Sequence, residues 1–261
     1  MSEVIGIAGC GRMGFGLLGN LRKAGFDARG FDIRPIEGVE TDVVQFARDL
    51  TTVFSVVRDS RETDDLLFDK QALINHAPAL KRIVISSTLS PRYVKALRTR
   101  VPAHIALIDA AMSGAQIKAN AGTLTFMTGG PAIEIMPMLQ AMGDTIHDVG
   151  AFGAGMTAKV LNNLLAASHT AMTRLVLDWA DAEGMNEGRL LALIATASGQ
   201  NWLASGFDDI EFARDGYATD NSIGILAKDV AAALDIAPDD GIDLPVAVRN
   251  AILALEPRAK P

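Results

Sequence analysis

An apolar run, Val4 to Ala8, leads straight into Gly9-Cys10-Gly11-Arg12-Met13-Gly14, and a helical pattern follows through about Ala24. That order demands a strand, a tight turn and a helix packed back on the strand, because only glycines tolerate the turn and the close approach. Ala28 to Asp32 then reads as a second strand. Its last residue is a carboxylate roughly 20 residues beyond the loop, the register of a dinucleotide site. Gly9 and Gly11 let the backbone approach a pyrophosphate, and Gly14 lets the helix approach the strand. Arg12 and Met13 complete the loop at the helix start, where free N–H groups meet phosphate. Asp32 accepts ribose hydroxyls and repels a 2′-phosphate, which favours NAD, while Arg34 leaves NADP open. Cys10 reads as a small filler within the loop.

Further strands are expected over Thr52–Val57, Ile83–Ser86, Ile105–Asp109, Leu124–Met127 and Thr145–Val149, with helical segments between most of them. Strands alternating with helices predict an α/β fold with a doubly wound, mostly parallel sheet. Between Asp32 and Thr52 the chain has room for at most one short helix, at about Asp42 to Arg48, which predicts a sheet trimmed on that side. Beyond Gly150 the strand patterns stop. Helices are expected over roughly 154–184, 187–199, 201–214, 222–236 and 242–255. The glycines of Gly150-Ala151-Phe152-Gly153-Ala154-Gly155 mark the change, so the expected domains are residues 1–152 and an all-helical 153–261.

The helix that opens the second half carries the chemistry. With about 100° per residue, Asn162, Asn163, His169, Thr170, Thr173 and Arg174 fall in an arc of roughly 140° around Lys159. Apolar residues fill the rest of the wheel, so the helix is expected to be buried on most sides with one polar stripe facing a cleft between the domains. A lysine at a helix start meets the positive end of the dipole. Desolvation adds to that effect, so a lowered pKa is expected, suited to moving a proton near neutral pH. Asn163, at i+4, shares its face. Trp202 reads as a core anchor, and Arg174 is placed to pair with Asp178.

Composition narrows the class. The chain has 261 residues, 49% of them hydrophobic and 21% charged, enough for a sizeable core. A net charge of −7 without a basic run argues against nucleic acid. One cysteine precludes an internal disulfide, and the four histidines lack metal-ligand spacing, so no metal is expected. No signal peptide or membrane span is read, and a cytoplasmic location is expected.

Taken together, Gly9–Gly14, Asp109-Ala110-Ala111-Met112-Ser113-Gly114-Ala115, Gly153-Ala154-Gly155-Met156-Thr157-Ala158-Lys159-Val160-Leu161-Asn162-Asn163 and Lys228-Asp229 resemble the β-hydroxyacid dehydrogenases, the 3-hydroxyisobutyrate dehydrogenase family. The resemblance covers nearly the whole chain. It implies a Rossmann domain joined by a long helix to an all-helical domain for substrate and oligomer contacts. It implies Lys159 as general acid/base, and Ser113, Gly114, Ala115 and Asn163 around a small carboxylate substrate. Val57 and Arg58, Ser87 and Thr88, and Lys228 would lie along the cofactor, NAD or NADP. Homodimers or homotetramers are the implied assemblies. Two departures stand out: Ala111 replaces the proline usual in the substrate loop, and Ala115 replaces its last glycine, where a methyl is expected to crowd the substrate or remove a positive-φ conformation. The 6-phosphogluconate dehydrogenases carry Lys-x-x-His-Asn where this chain has Asn162, and imine reductases lack the lysine. The leading expectation is hydride transfer between a nicotinamide cofactor and a small β-hydroxy acid or semialdehyde. The alternatives are an NADPH-dependent reductase of small aldehydes such as glyoxylate or succinic semialdehyde, and a dinucleotide-binding sensor without turnover.

Overall fold

Apolar residues alternate across the two faces of a single sheet in the first half of the chain, and each face acquires its own core. The computed structural model describes residues 3–238 and 241–260; Met1 and Pro261, the outer limits of the expected domains, lie outside the described residues. The chain divides into two compact units, the first running up to Lys159 and the second starting at Val160.

In the first unit, strands β1 (Val4–Ala8), β2 (Asp27–Phe31), β3 (Thr52–Ser55), β4 (Arg82–Ile85), β5 (Ala106–Ser113), β6 (Leu124–Gly129) and β7 (Gly143–Asp148) form one sheet in the order β2-β1-β3-β4-β5-β6-β7. Pairing is parallel except between β5 and β6. The connecting helices are α1 (Gly14–Lys23), α2 (Val43–Ala47), α3 (Ser60–Leu67), α4 (Leu73–His76), α5 (Pro91–Ala96), α6 (Ala115–Ala121) and α7 (Met136–Met142). Val53, Ile83, Ile85 and Leu107 face one layer with Phe46, Leu66 and Leu97. Phe54, Val84 and Ile108 face the other with Leu17, Leu21 and Leu139. The expected trimming is visible: between β2 and β3 the chain adds only α2 and one bridge, Phe31 to Glu40, so β2 is the sheet edge.

Strand ends differ from expectation by a residue or two, with one larger exception. β5 continues past Asp109 to Ser113, because antiparallel pairing with β6 carries it on to the Ser113–Thr125 pair. Ser113 is therefore the end of a strand rather than part of a loop.

The long helix α8 (Ala154–Ala182) starts in the first unit and runs into the second, which adds α9 (Glu187–Ile194), α10 (Trp202–Ser205), α11 (Ser222–Leu234) and α12 (Asp243–Leu253). Ala167 packs with Ile223, Val230 and Ile252. Leu177 packs with Leu191, Leu203 and Phe207. The helix expected over 201–214 is only one turn: Asn201 caps it by accepting from the Ala204 N–H at 3.0 Å, and Gly206 ends it. Trp202 is not a core anchor; it stays 36% exposed, its ring tilted against Phe212. Among the described residues, no helix is long and apolar enough to cross a membrane.

The two faces of α8 are the reverse of the expected pattern. Most of the polar stripe is buried: Lys159, Asn163, Thr170, Thr173 and Arg174 are buried, His169 is half-buried and Asn162 is exposed. Leu161, Leu165, Met172, Leu175 and Trp179, roughly opposite Lys159 on the wheel, are exposed. Arg174 does not pair with Asp178. Its guanidinium donates to the carbonyls of Ala213 and Asp215, ahead of α11, and of Glu256, after α12, and so ties these two segments to α8. Asp178 is taken instead by Arg258, at 2.7 Å.

Arg258 also reaches Asp181 at 2.7 Å and the buried Glu187 at 2.7 Å, and Arg214 reaches Glu187 from the other side at 2.5 Å. Burial works against ionisation of Glu187, but hydrogen bonds from Arg214 and Arg258 hold its carboxyl below the usual range. A lowered folded pKa gives stability that is present above the unfolded value, about 4.3, and is lost as pH falls through the folded one. Glu187→Gln should cost about 3 kcal/mol near neutral pH, because two guanidinium groups lose their shared anion. In urea denaturation followed across pH, the gap between the variant and the unmodified protein should narrow below about pH 4; a gap independent of pH would contradict this reading.

Candidate active site

In the first unit, the carboxyl ends of β1 to β5 deliver the predicted residues to one edge of the sheet, where ligands of open α/β sheets bind. The chain turns at Gly9, whose φ is +96° and whose missing side chain would lie 2.7 Å from the Val56 carbonyl. Gly14 starts α1 hard against the Gly9 carbonyl, which leaves no space for a Cβ. Gly9 is thus required by contact and by conformation, and Gly14 by contact alone. Gly11 between them is not crowded in this way, its nearest neighbour being the Arg34 guanidinium at 3.5 Å from where a Cβ would stand. The cradle fits a dinucleotide pyrophosphate: close backbone approach at Gly9, an open face at Gly11 and a helix start at Gly14. Met13 precedes α1 directly, and Arg12 is exposed. Cys10 is buried, and burial pushes its thiol up to about 11, so it stays protonated at neutral pH and acts as filler.

Asp32 follows β2 and is 6% exposed. Arg34 grips both its oxygens, Nε to Oδ1 at 3.0 Å and Nη2 to Oδ2 at 3.2 Å, and the Arg34 backbone N–H adds a third bond at 3.0 Å. Burial alone would raise the Asp32 carboxyl, but these bonds hold it below the usual range. Arg34 itself stays 66% exposed.

Val57 and Arg58 leave β3. The Ser87 hydroxyl donates to the Val57 carbonyl at 2.6 Å, which ties the loop after β3 to the end of β4, beside Thr88. Asp59 caps α3 by accepting from the Glu62 N–H at 2.9 Å, and Glu62 reaches back to the Arg58 N–H at 2.9 Å, a reciprocal cap. The Arg58 guanidinium lies on Glu62 as well, at 2.9 Å.

Ser113 and Gly114 lead from β5 into α6, and α6 packs on α1. Gly16 makes this possible, because a Cβ there would lie 2.7 Å from Asn120. Asn20 donates to the Ala119 carbonyl at 2.7 Å. The helix after the glycine loop thereby holds the helix after Ser113. Ala115 keeps a positive φ of +56° despite its methyl. The alanine has therefore not removed the left-handed conformation; it carries it as strain of about 1 kcal/mol.

Asp109 is fully buried in β5, and its carboxylate receives the start of α8. Oδ1 accepts from the Gly153 N–H at 2.7 Å, and Oδ2 accepts from the Met156 N–H at 2.5 Å. Burial pushes its carboxyl up against the pull of these donors. Lys159 lies one turn beyond Met156 and is 7% exposed. Asn163 is one turn further along the same helix, 8% exposed. In the second unit, the Asn163 amide donates to Oδ2 of the buried Asp229 at 2.6 Å, and Lys228 sits 3.8 Å from the other Asp229 oxygen. Glycine loop, Asp32, Val57, Ser87, Ser113 and Lys159 belong to the first unit; Asn163 and Lys228 belong to the second.

Three contacts are not evident from the sequence alone. Asp109 stands in a recognisable motif, but its bond to α8 spans 44 residues. The double grip of Arg34 on Asp32 is signalled only by their spacing. Lys118, one turn into α6, lies along Gly114, and only the i+4 offset hints at it. Among the described residues, no group of histidine, cysteine and acidic side chains is arranged to hold a metal ion.

Comparison with known proteins follows the two units closely. Residues 4–150 match the family model described as the NAD binding domain of 6-phosphogluconate dehydrogenase, and residues 153–256 match that described as NAD-binding of NADP-dependent 3-hydroxyisobutyrate dehydrogenase. An L-threonate dehydrogenase of Cupriavidus necator is 28% identical over 94% of this chain and 87% of its own length. An NAD-dependent L-serine dehydrogenase of Pseudomonas aeruginosa is 29% identical over 93% of this chain and 88% of its own. Among solved structures, a 3-hydroxyisobutyrate dehydrogenase of Mycobacterium tuberculosis with L-serine shares the fold at a TM-score of 0.80, with 23% identity over 98% of this chain and 97% of that one.

Asp109→Asn tests the strand-to-helix bond. It keeps the size but removes the charge that the α8 N–H groups meet, and it should cost about 2 kcal/mol in urea denaturation. A change below about 0.5 kcal/mol would mean that α8 starts without its help.

Proposed function

The chain belongs to the β-hydroxyacid dehydrogenase family, and on that premise we propose that it interconverts a small β-hydroxy acid and its semialdehyde, with Lys159 as the general acid/base. One observation carries the proposal: Lys159 and Asn163 stand one helical turn apart on α8, both buried, with the Asn163 amide oriented by Asp229. A buried cation and a fixed amide on one helix face suit a reacting oxygen better than a solvated surface does.

The Gly9–Gly14 loop, with Arg12 and Met13 at the start of α1, would hold the cofactor pyrophosphate, and Asp32 the adenosine ribose. Val57, Arg58, Thr88 and Lys228 would line the remainder. When bound, the nicotinamide supplies or accepts the hydride. Lys159 moves the matching proton at the substrate oxygen: it takes it from the hydroxyl during oxidation and returns it to the alkoxide during reduction. Asn163 donates a hydrogen bond that keeps that oxygen facing Lys159. The Ser113 hydroxyl and the Gly114 N–H hold the carboxylate, and Ala115 borders the same loop. The Asp32 carboxylate favours NAD. Its pairing with Arg34 supports acceptance of NADP, because an exposed guanidinium beside Asp32 can turn to a 2′-phosphate. The same pairing is what favours the second reading, reduction of small aldehydes with NADPH.

The exposed apolar stripe on α8 supports a homo-oligomer. Five large apolar residues on one helix face exceed the scattered exposure of an ordinary monomer surface. Leu165→Glu, at a position 61% exposed, should shift the assembly to a smaller species in light scattering after gel filtration while leaving the melting temperature of each unit nearly unchanged. An unchanged molar mass would place the interface elsewhere.

The decisive variant for the reaction is Lys159→Ala. With NAD and NADP tested in parallel against 3-hydroxyisobutyrate, serine, glycerate and threonate, turnover should fall by about a factor of 10³ while cofactor binding stays within about twofold. Turnover that survives the substitution would remove Lys159 from the chemistry.

A further inference from the structure

We propose that Lys118 recognises a second anionic group on the substrate, so that the site favours hydroxy acids carrying two negative charges over those carrying one. The inference rests on the reading of Ser113 and Gly114 as the holders of the first carboxylate.

Lys118 is one turn beyond Gly114, and helical side chains lean toward the N-terminus of their helix, over the preceding turn. The lysine follows that rule closely. A Cβ on Gly114 would lie 2.6 Å from the Lys118 Cδ and 2.7 Å from its Cβ, so the stem is laid along the glycine. Gly114 has a φ of +139° and leaves the space that the stem fills. With Cβ, Cγ and Cδ against Gly114, the ammonium, two bonds beyond Cδ, is within reach of the residues that would hold substrate.

Charge completes the argument. Among the described residues, the Lys118 ammonium has no ion pair, although the chain as a whole carries an excess of acids. No acid stands on α6 itself, whose sequence is AQIKANA. Lys70, by contrast, has Asp65 at 2.6 Å, and Arg100 has Asp64 at 2.6 Å. Lys118 is exposed, and a cation whose stem lies along Gly114 with no ion pair among the described residues is available to a ligand. Ser113 and Gly114 provide a hydroxyl and an N–H for one carboxylate. The ammonium is a third group, separate from that hydroxyl and N–H, which suits a separate anionic group on the same molecule. An ammonium is a point charge and accepts a carboxylate or a phosphonate alike.

The test is calorimetric binding of unreactive acids to the NAD-loaded protein. Propionate carries one charge, and succinate and 3-phosphonopropionate carry a second anionic group at the far end. Unmodified protein should bind succinate or 3-phosphonopropionate about tenfold more tightly than propionate, and the stronger of the two identifies the preferred second group. Lys118→Met, which keeps the stem, should bring that ratio close to one with propionate within about twofold, and Lys118→Arg should restore it. An equal loss for all three acids would overturn the proposal by assigning Lys118 to the first carboxylate, and an unchanged ratio would overturn it outright. Turnover is read alongside. Protein that keeps the dianion preference yet oxidises no hydroxy acid would sink the dehydrogenase reading and leave the anion site standing. Oxidation of monoanionic hydroxy acids without any dianion preference would sink the Lys118 assignment alone.

Discussion

The Asp109 carboxylate on the N–H groups of Gly153 and Met156 is the bond on which the proposed site depends. A helix start carries unsatisfied donors and a partial positive charge, and a buried strand carboxylate is a costly group to leave alone. Each solves the other's problem. The result is a long helix registered to the sheet at one end, with Lys159 a single turn past the junction. Because β5 ends four residues later at Ser113, one strand both anchors the helix of the proposed acid/base and delivers the proposed carboxylate holder.

The first unit repeats this economy at the other strand ends. Gly9 and Gly14 leave no space between loop, β3 and α1, so the cradle for a pyrophosphate is set by contact with backbone rather than by side chains. Ser87 ties the end of β4 to the loop after β3, and Gly16 and Asn20 seat α6 on α1. In the second unit the polar side of α8 is made tolerable by partners: Asp229 for Asn163, and the carbonyls of Ala213 and Asp215 for Arg174. Buried polar groups need such bonds, and Asn163 and the terminal nitrogens of Arg174 have them, whereas His169 Nδ1 and Arg174 Nε are buried with no hydrogen bond among the described residues.

The sequence disclosed what is local. The strand, glycine turn and helix from Val4 to Lys23 follow from residues adjacent in the chain, as does the short connection between Asp32 and Thr52. What depends on distant partners was not legible. The end of β5 is set by pairing with β6. The turn at Trp202 ends where Gly206 intervenes, although the apolar spacing continues. The side of α8 that is buried cannot be taken from its wheel, because polar residues with good partners can be buried while leucines stay exposed. Arg174 could be placed beside Asp178 by spacing, but three backbone carbonyls and a competing Arg258 decide otherwise. Of the proposed site, the glycine loop, Asp32 and the Lys159–Asn163 spacing were visible; the contacts of Asp109 and Lys118 require the fold.

The most direct measurement of the central claim is chemical rescue. Lys159→Ala, saturated with cofactor and hydroxy acid, would be assayed with a series of small primary amines of graded basicity. The account predicts that amines restore turnover in a saturable way, with rates that rise with amine basicity during oxidation, because the missing group is a proton acceptor at that position. If cofactor and substrate still bind but no amine restores any turnover, Lys159 does not carry the proton and the account is contradicted.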